Sequence, residues 1–534
     1  MNKRTFTSLR HEVDLWSIAA GGICLLILCP LIAVLSGMGH AAPMWEHLKE
    51  TVLSDYLLNT LWLTLAVSVL AIFMALPAAW ILSQFSFPGQ KLFEWAMVLP
   101  LAVPTYVAAF VYRQVPEAAI PLLIQIRSRW GVDAFLFAEG FIRKGTLTVL
   151  MAAVLYPYLY LSLRTAFMVQ RRGVIEAAHI LGRSPASVFF SVALPLARPA
   201  LIAGVSLVIM EVINDYGAVY FMGVPTLTVG IFRTWTGLGD LTSAVRLAGI
   251  MVFAVFILLA LEQLQRGKAH FSEKESAPAH SNQRKLRPVK ATLAFLTCLV
   301  PIGLGFLIPF IQLLYWAGLS FAHKGLGQLP WTRMGNSLLL ALLTAVLLTA
   351  LGVILNFAQR LHPVRALKLP IRLAGVGYAI PGAVVAVGVM IFLGKFSLIG
   401  SVYAICFGYV VRFLAVGLQP IRAGMERVCG SLDQASRVLG HSPTQTLFKI
   451  NLPLIRGTLM AVVMLVFVDI LKELPMTMIL RPVDFDTLAT LAFGLAQESR
   501  IQECAIPSLM IIFLAGTGLF SLNRLLTPPP SHTP

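Results

Sequence analysis

Apolar stretches of about twenty residues recur along the chain, and the short segments between them carry most of its charge. A helix needs about 20 apolar residues to cross the hydrocarbon core of a bilayer. Stretches at 15–37, 57–80, 92–112, 146–168, 197–220 and 245–263 meet that length. After a hydrophilic interval at 264–290 comes a second set at 291–320, 336–358, 371–393, 397–420, 456–480 and 505–523. The pattern predicts an all-α polytopic membrane protein with about twelve transmembrane helices in two six-helix repeats. The run from Leu15 is longer than the roughly 7–15 apolar residues of a cleaved signal, so it reads as an uncleaved first span. The expected units are a first helix and outer loop (1–56), a first transmembrane domain (57–263), a cytoplasmic linker (264–290), a second first-helix and loop (291–335), a second transmembrane domain (336–523) and a disordered tail (524–534).

The two sets are related by sequence. Glu176 to Leu201 (EAAHILGRSPASVFFSVALPLARPAL) recurs as Gln434 to Leu459 (QASRVLGHSPTQTLFKINLPLIRGTL) at a constant offset of 258, with eleven of 26 ungapped positions identical. That is the mark of a duplication. In each copy a helical run is stopped by Gly182 or Gly440, and a Ser-Pro pair then caps and starts a new helix. Leu194-Pro195 and its copy Leu452-Pro453 are expected to end that second short helix. Further upstream Asn59-Thr60-Leu61 resembles Asn336-Ser337-Leu338, and Pro104 resembles Pro381, both at an offset of 277. The difference of 19 residues is assigned to the outside segment Arg113 to Lys144, where Val115 to Trp130 predicts a small surface helix.

Composition agrees with a membrane solvent: 58% of residues are hydrophobic and 12% charged, against roughly 25% charged in soluble domains. The net charge of +17 does not signal nucleic acid, because no recognition pattern accompanies it and basic residues of membrane proteins gather in cytoplasmic loops. With the N-terminus inside, most Lys and Arg fall on the cytoplasmic side, which places both repeated corners there. Both copies then share one orientation, making the repeat parallel. The six cysteines are scattered and include no CxxC pair, so they read as apolar filler. Gly388 to Lys395 (GVMIFLGK) has five residues between its glycines and Phe396 in place of Ser or Thr, which rules out a phosphate-binding loop. His179 and His441 fall at different positions of the two corners and read as surface residues.

The corner Glu176-Ala177-Ala178, with Gly182, Leu194 and Pro195 at their spacing, resembles the EAA loop of type I ABC importer permeases. The resemblance implies that family's transmembrane fold and a cytoplasmic coupling helix docked on an ATP-hydrolysing subunit. Ala435, Gly440 and Pro453 match in the second copy, where Gln434 and Ser436 replace the expected Glu and Ala. The segments Glu211 to Trp235 and Asp469 to Phe493 resemble fused two-domain ferric iron permeases. Thiamine, phosphonate, polyamine and sulfate permeases share the architecture, so these cargoes stay open.

The same segments carry acids at matched positions. Glu211 and Asp215 are four residues apart, as are Asp469 and Glu473 at the 258 offset, so each pair is expected on one helix face. Counted from Pro195 and Pro453 they should lie near the outer end of a pathway. Carboxylates inside a membrane protein are costly and mark a functional site by default. Glu211, Asp215, Asp469 and Glu473, with Tyr216 and Tyr220, are candidate pathway residues, and oxygen ligands suit a transient ferric contact. The alternative is an interfacial position or pairing with Lys472 and Arg233.

The expected function is that of a permease subunit in the bacterial inner membrane, moving ferric iron from a periplasmic binding protein into the cytoplasm by alternating access. The chain itself is expected to be no enzyme and to bind no cofactor. ATP would be used by two cytoplasmic ATPase subunits, one per corner. An ion-coupled secondary transporter is the alternative from another class.

Overall fold

The computed structural model describes residues 15–169, 182, 184–266, 284–325, 329–361 and 365–526. Among them ten helices are long and apolar enough to cross a membrane, or eleven if one pair bent by 87° counts as a span. In the first half these are α1 (Leu15–Gly37), α2 (Leu53–Gln84), the bent pair α3 (Gln90–Ala102) and α4 (Thr105–Ala118), α5 (Ile120–Val169), α6 (Leu194–Asn214), then two short helices α7 (Gly217–Phe221) and α8 (Leu227–Phe232), and α9 (Leu241–Arg266). In the second half α10 (Pro288–Ala322), α11 (Trp331–Leu361), α12 (Arg365–Ala374), α13 (Gly382–Gly394), α14 (Val402–Arg427), α15 (Gly430–Val438), α16 (Leu452–Lys472), α17 (Pro475–Leu480), α18 (Leu488–Gln497) and α19 (Ile501–Leu526) follow.

Two of the twelve expected spans are therefore broken. The segment 92–112 bends between α3 and α4, and 371–393 divides into α12, a 3-10 turn at Gly377–Ala379 and the 13-residue α13. Both breaks fall at the matched prolines. A proline disfavours the helical conformation in the residue before it, and Val103 and Ile380 are both extended. Pro104 and Pro381 are themselves extended and lead into α4 and α13.

The halves are interlocked. Helix α1 leaves its own half to pack on α11, α12 and α13, while α10 packs against α2, α5 and α19. Glycine makes both crossings possible: a Cβ on Gly388 would strike the backbone carbonyl of Pro30, and one on Gly305 that of Ala153. A two-residue parallel pairing of Phe85–Ser86 with Arg284–Lys285 ties the end of the linker to the turn after α2. The extra outer segment is helical at Gln114–Ala118 and again from Ile120, with a break at Gly131 (φ 87°, ψ −177°) before the long descent of α5.

Glu176, Ala177 and Ala178 lie outside the described residues. Gly182 and Gly440 share a left-handed backbone, φ 76° and 81°, as their stop role requires. In the second corner Ser442 and Gln445 form a reciprocal capping box with Pro443 in the first turn. Arg360, at the end of α11, pairs with Asp433 at 2.7 Å and donates to the carbonyls of Met425 and Val428, bracing α15 against the bundle. The Leu-Pro pairs do not end a helix. Pro195 and Pro453 sit in the first turn of α6 and α16, and the chain reaches them through π-helical turns at Phe189–Ala193 and Leu447–Asn451, again 258 apart. A proline lacks the N–H that an α-helix would spend there, and the wider π turn absorbs the misfit without a break.

The interlock is open to a paired test. Gly388→Leu should lower stability by about 1–3 kcal/mol through overpacking against Pro30, seen as a lower thermal midpoint in detergent. Gly21→Leu in α1, where nothing lies within 4 Å, should leave the midpoint unchanged.

A cavity between broken helices as candidate functional site

Helix α6 stops because Asp215 is extended (ψ 129°), and α16 stops because Glu473 is extended (ψ 122°). Each acid then caps the short helix that follows. Asp215 Oδ1 accepts from the amides of Ala218 and Val219 at 2.9 and 3.2 Å. Glu473 accepts from those of Met476 and Thr477 at 3.0 and 3.1 Å. Opened backbone inside a membrane protein must find internal partners, and these carboxylates supply them. Glu211 and Asp215 both face one cavity, as do Asp469 and Glu473, and the second acid of each pair is the residue at which the helix ends.

The returning segments are held in the same way in both halves. Asn59 donates to the carbonyl of Pro225 at 2.9 Å, and Asn336 to that of Asp486 at 3.0 Å. The hydroxyls of Thr60 and Ser337 accept from the amides of Leu227 and Leu488 at 3.1 and 2.8 Å. This is what the repeated Asn-Thr and Asn-Ser pairs of α2 and α11 do.

Glu211, Asp215, Tyr216, Asp469 and Glu473 all line one cavity of about 100 Å³ between the halves. Tyr158 and Arg412 line it too. Tyr158 falls in the middle of the 146–168 span, and Arg412 lies roughly 15 Å along α14 from Val402. The acids share the cavity with these two residues, at the ends of α6 and α16 far from the corners. Helix α6 is reached from Pro185–Val188 through the π turn, so the helical run to the acids starts before Pro195.

Hydrogen bonds cross between the halves at the cavity. The hydroxyl of Tyr378 donates to Glu211 at 2.6 Å, and the Gly382 amide donates to Asn214 Oδ1 at 2.7 Å. In return Lys472 donates to the carbonyl of Leu101 at 3.2 Å while pairing with Asp469 at 3.4 Å. The broken end of each ascending helix grips the proline break of the other half. Tyr216 is buried and stacks on Phe232 with ring centroids 3.7 Å apart, and its ring lies 5.3 Å from that of Tyr220. Arg233 is exposed, and among the described residues it forms no ion pair with these acids.

At the cavity the two halves differ beside the proline breaks. The hydroxyl of Thr105, next to Pro104, donates to Asp215. The matched position in the second half is Gly382, where a Cβ would collide with the Arg412 guanidinium and Glu473. The vacated room holds Arg412, paired with Glu473 at 2.8 Å with both side chains almost wholly buried. At the 258 offset, Val154 lines the cavity where Arg412 does in the other half. The four acids do not form a ligand cluster: among the described residues no group of three or more His, Cys, Asp or Glu is placed to hold a metal ion.

The family model for the inner membrane component of binding-protein-dependent transport systems matches residues 67–262 and 369–529. The chain belongs to this family. It is accordingly a multi-pass inner-membrane protein and the permease component of an ABC transporter. An Fe(3+)-transport system permease protein of Haemophilus influenzae is 23% identical over 486 residues, 90% of this chain and 91% of that one. A probable ABC transporter permease protein of Sinorhizobium fredii is 22% identical over 503 residues, 86% of each chain. The sulfate transport system permease protein CysT of Salmonella typhimurium is 30% identical over 211 residues, 38% of this chain and 70% of that one.

Removing one partner of a buried ion pair strands the other charge. Arg412→Met alone should cost the permease about 3–5 kcal/mol, and Arg412→Met with Glu473→Gln should recover most of it. Thermal unfolding of the two variants in detergent checks this double-mutant comparison.

Proposed function

We propose that this permease carries ferric iron inward, from a periplasmic binding protein to the cytoplasm. Likeness to the Fe(3+)-transport permease over nine-tenths of both chains carries the reading. The cavity lined by Glu211, Asp215, Asp469 and Glu473 supports it, because there both halves turn two acidic groups toward shared space. The chain hydrolyses nothing and binds no cofactor in this reading. Two cytoplasmic ATPase subunits hydrolyse ATP and dock at the two corners, around Gly182 and Gly440. The corner of Gly440 is braced by Arg360, so a push on α15 reaches α11, and through the continuous π turn it reaches α16 and the cavity. The Glu176 corner carries a charge that Gln434 lacks, and the two ATPase contacts are unequal.

A second cargo class has one observation in its favour. Arg412 and Lys472 place two cations among the four acids, a mixture that also suits a small anion.

Uptake of radioactive iron by vesicles holding permease, ATPase and binding protein decides between them. Glu211→Gln combined with Asp469→Asn should cut uptake at least about tenfold with ATP hydrolysis and assembly retained, the scale of one lost charge interaction. Unchanged iron uptake would remove the acids from the mechanism, and sulfate uptake without iron uptake would replace the cargo. Gly440→Val, which forces a left-handed position on a β-branched residue, should uncouple ATP hydrolysis from uptake.

A further inference from the structure

A layer of aromatic rings stands between the cavity and a second opening in the protein. Helix α4 begins at the cavity, which Thr105 and Tyr106 line, and its far end, Gln114 and Glu117, lines a cleft of about 480 Å³. Phe110 lies between them, one turn or about 6 Å beyond Tyr106. In the same way Tyr216 lines the cavity at the start of α7, and Tyr220 follows one turn on. From the other half, α18 carries Phe493 and leads into residues 499–503, which line the same cleft. The ring of Phe493 is 6.4 Å from those of Tyr106 and Phe110 and 5.9 Å from those of Tyr216 and Tyr220. All four distances fall within the range of aromatic pairing. Phe110 and Phe493 are fully buried.

This arrangement is not repeated by the duplication. At the matched positions of the second half stand Ala383, Val387, Leu474 and Met478, none of which carries a ring, and Phe493 itself matches Trp235. One key from the second half thus sits in one cup from the first. We propose that Phe493 and these four rings form the outer gate of the permease, and that Phe493 is the residue that controls passage through it. A charged or hydrated cargo would have to shed its polar surroundings to cross a dry ring layer, so it enters only when the layer parts. Key and cup belong to different halves, so a movement that separates the halves withdraws Phe493 and joins cleft and cavity into one path. The gate acts on any cargo of this permease. It rests on the proposed import cycle only for the nucleotide state that opens it.

A thiol placed in the cavity reports whether the gate is shut. Val154→Cys lines the cavity, and on a background with the native cysteines replaced it is exposed to a membrane-impermeant thiosulfonate added outside right-side-out vesicles that hold the complete transporter. Without ATP the reporter should react slowly. Phe493→Leu keeps the core filled but removes the ring, and it should speed labelling about tenfold, because the open population sets the rate. Trp235→Leu, at the matched position, should leave the rate unchanged. In a second arm, Phe493→Cys and Tyr220→Cys are bridged by a reducible bifunctional thiosulfonate. ATP hydrolysis by the complete transporter should stop when they are bridged and resume on reduction, a reversal that a folding defect would not show. Equal protection of the reporter with Phe493→Leu, equal exposure with Trp235→Leu, or hydrolysis that continues across the bridge overturns the gate. Exposure by Phe493→Leu but not by trapped ATP upholds the gate and counts against the import cycle. Neither arm reads cargo, so a failure of the ferric reading would leave both results standing.

Discussion

A backbone that opens inside a membrane protein must satisfy its freed N–H and C=O groups from within, because lipid offers none. Four openings meet around the cavity of this permease, at Pro104, Pro381, Asp215 and Glu473. Every other feature of the site answers to them. The two carboxylates close the short helices after the breaks, and Asn59 and Asn336 hold the returning chain. The acids are therefore structural and functional together: the groups that stabilise the breaks are the groups that line the passage.

The openings also join the halves. Tyr378, Asn214 and Lys472 each reach across the interface to the other half's break. The interlocking of α1 and α10 with the opposite halves keeps the whole assembly together, so parting at the cavity is a rocking of two linked bodies, not a dissociation. Among the described residues no ion pair joins the halves at the cavity, and the hydrogen bonds from Tyr378, Gly382 and Lys472 can be remade in each cycle. The Arg412–Glu473 pair stays within one half and moves with it.

Much of this was legible in the residues. The span pattern placed the helices, and the 258 offset found the paired corners and the paired acids. The matched prolines marked both broken spans, although a count of apolar residues alone made those spans look continuous. Periodicity could not show that α6 and α16 end at Asp215 and Glu473, since the acids keep their helical spacing and the chain turns only after them. Pro195 and Pro453 misled for a related reason: a proline that would end an α-helix is absorbed by a π turn, and nothing in composition distinguishes the two outcomes. Arg412 was readable in principle, as an ionisable side chain in the middle of an apolar span. Its partner was not, because Glu473 is 61 residues away and the room for the pair is made by the lack of a side chain at Gly382.

Under the proposed import cycle, the two halves part at the outer side of the cavity when the ATPase subunits close. Glu117 and Gln502 line the same outer cleft from opposite halves. Spin labels at Glu117→Cys and Gln502→Cys, on a background with the native cysteines replaced, report that separation by electron-electron dipolar spectroscopy. In the complete transporter the distance should lengthen when ATP is trapped and return after hydrolysis. A distance that stays fixed, or shortens, with ATP trapped would contradict the account.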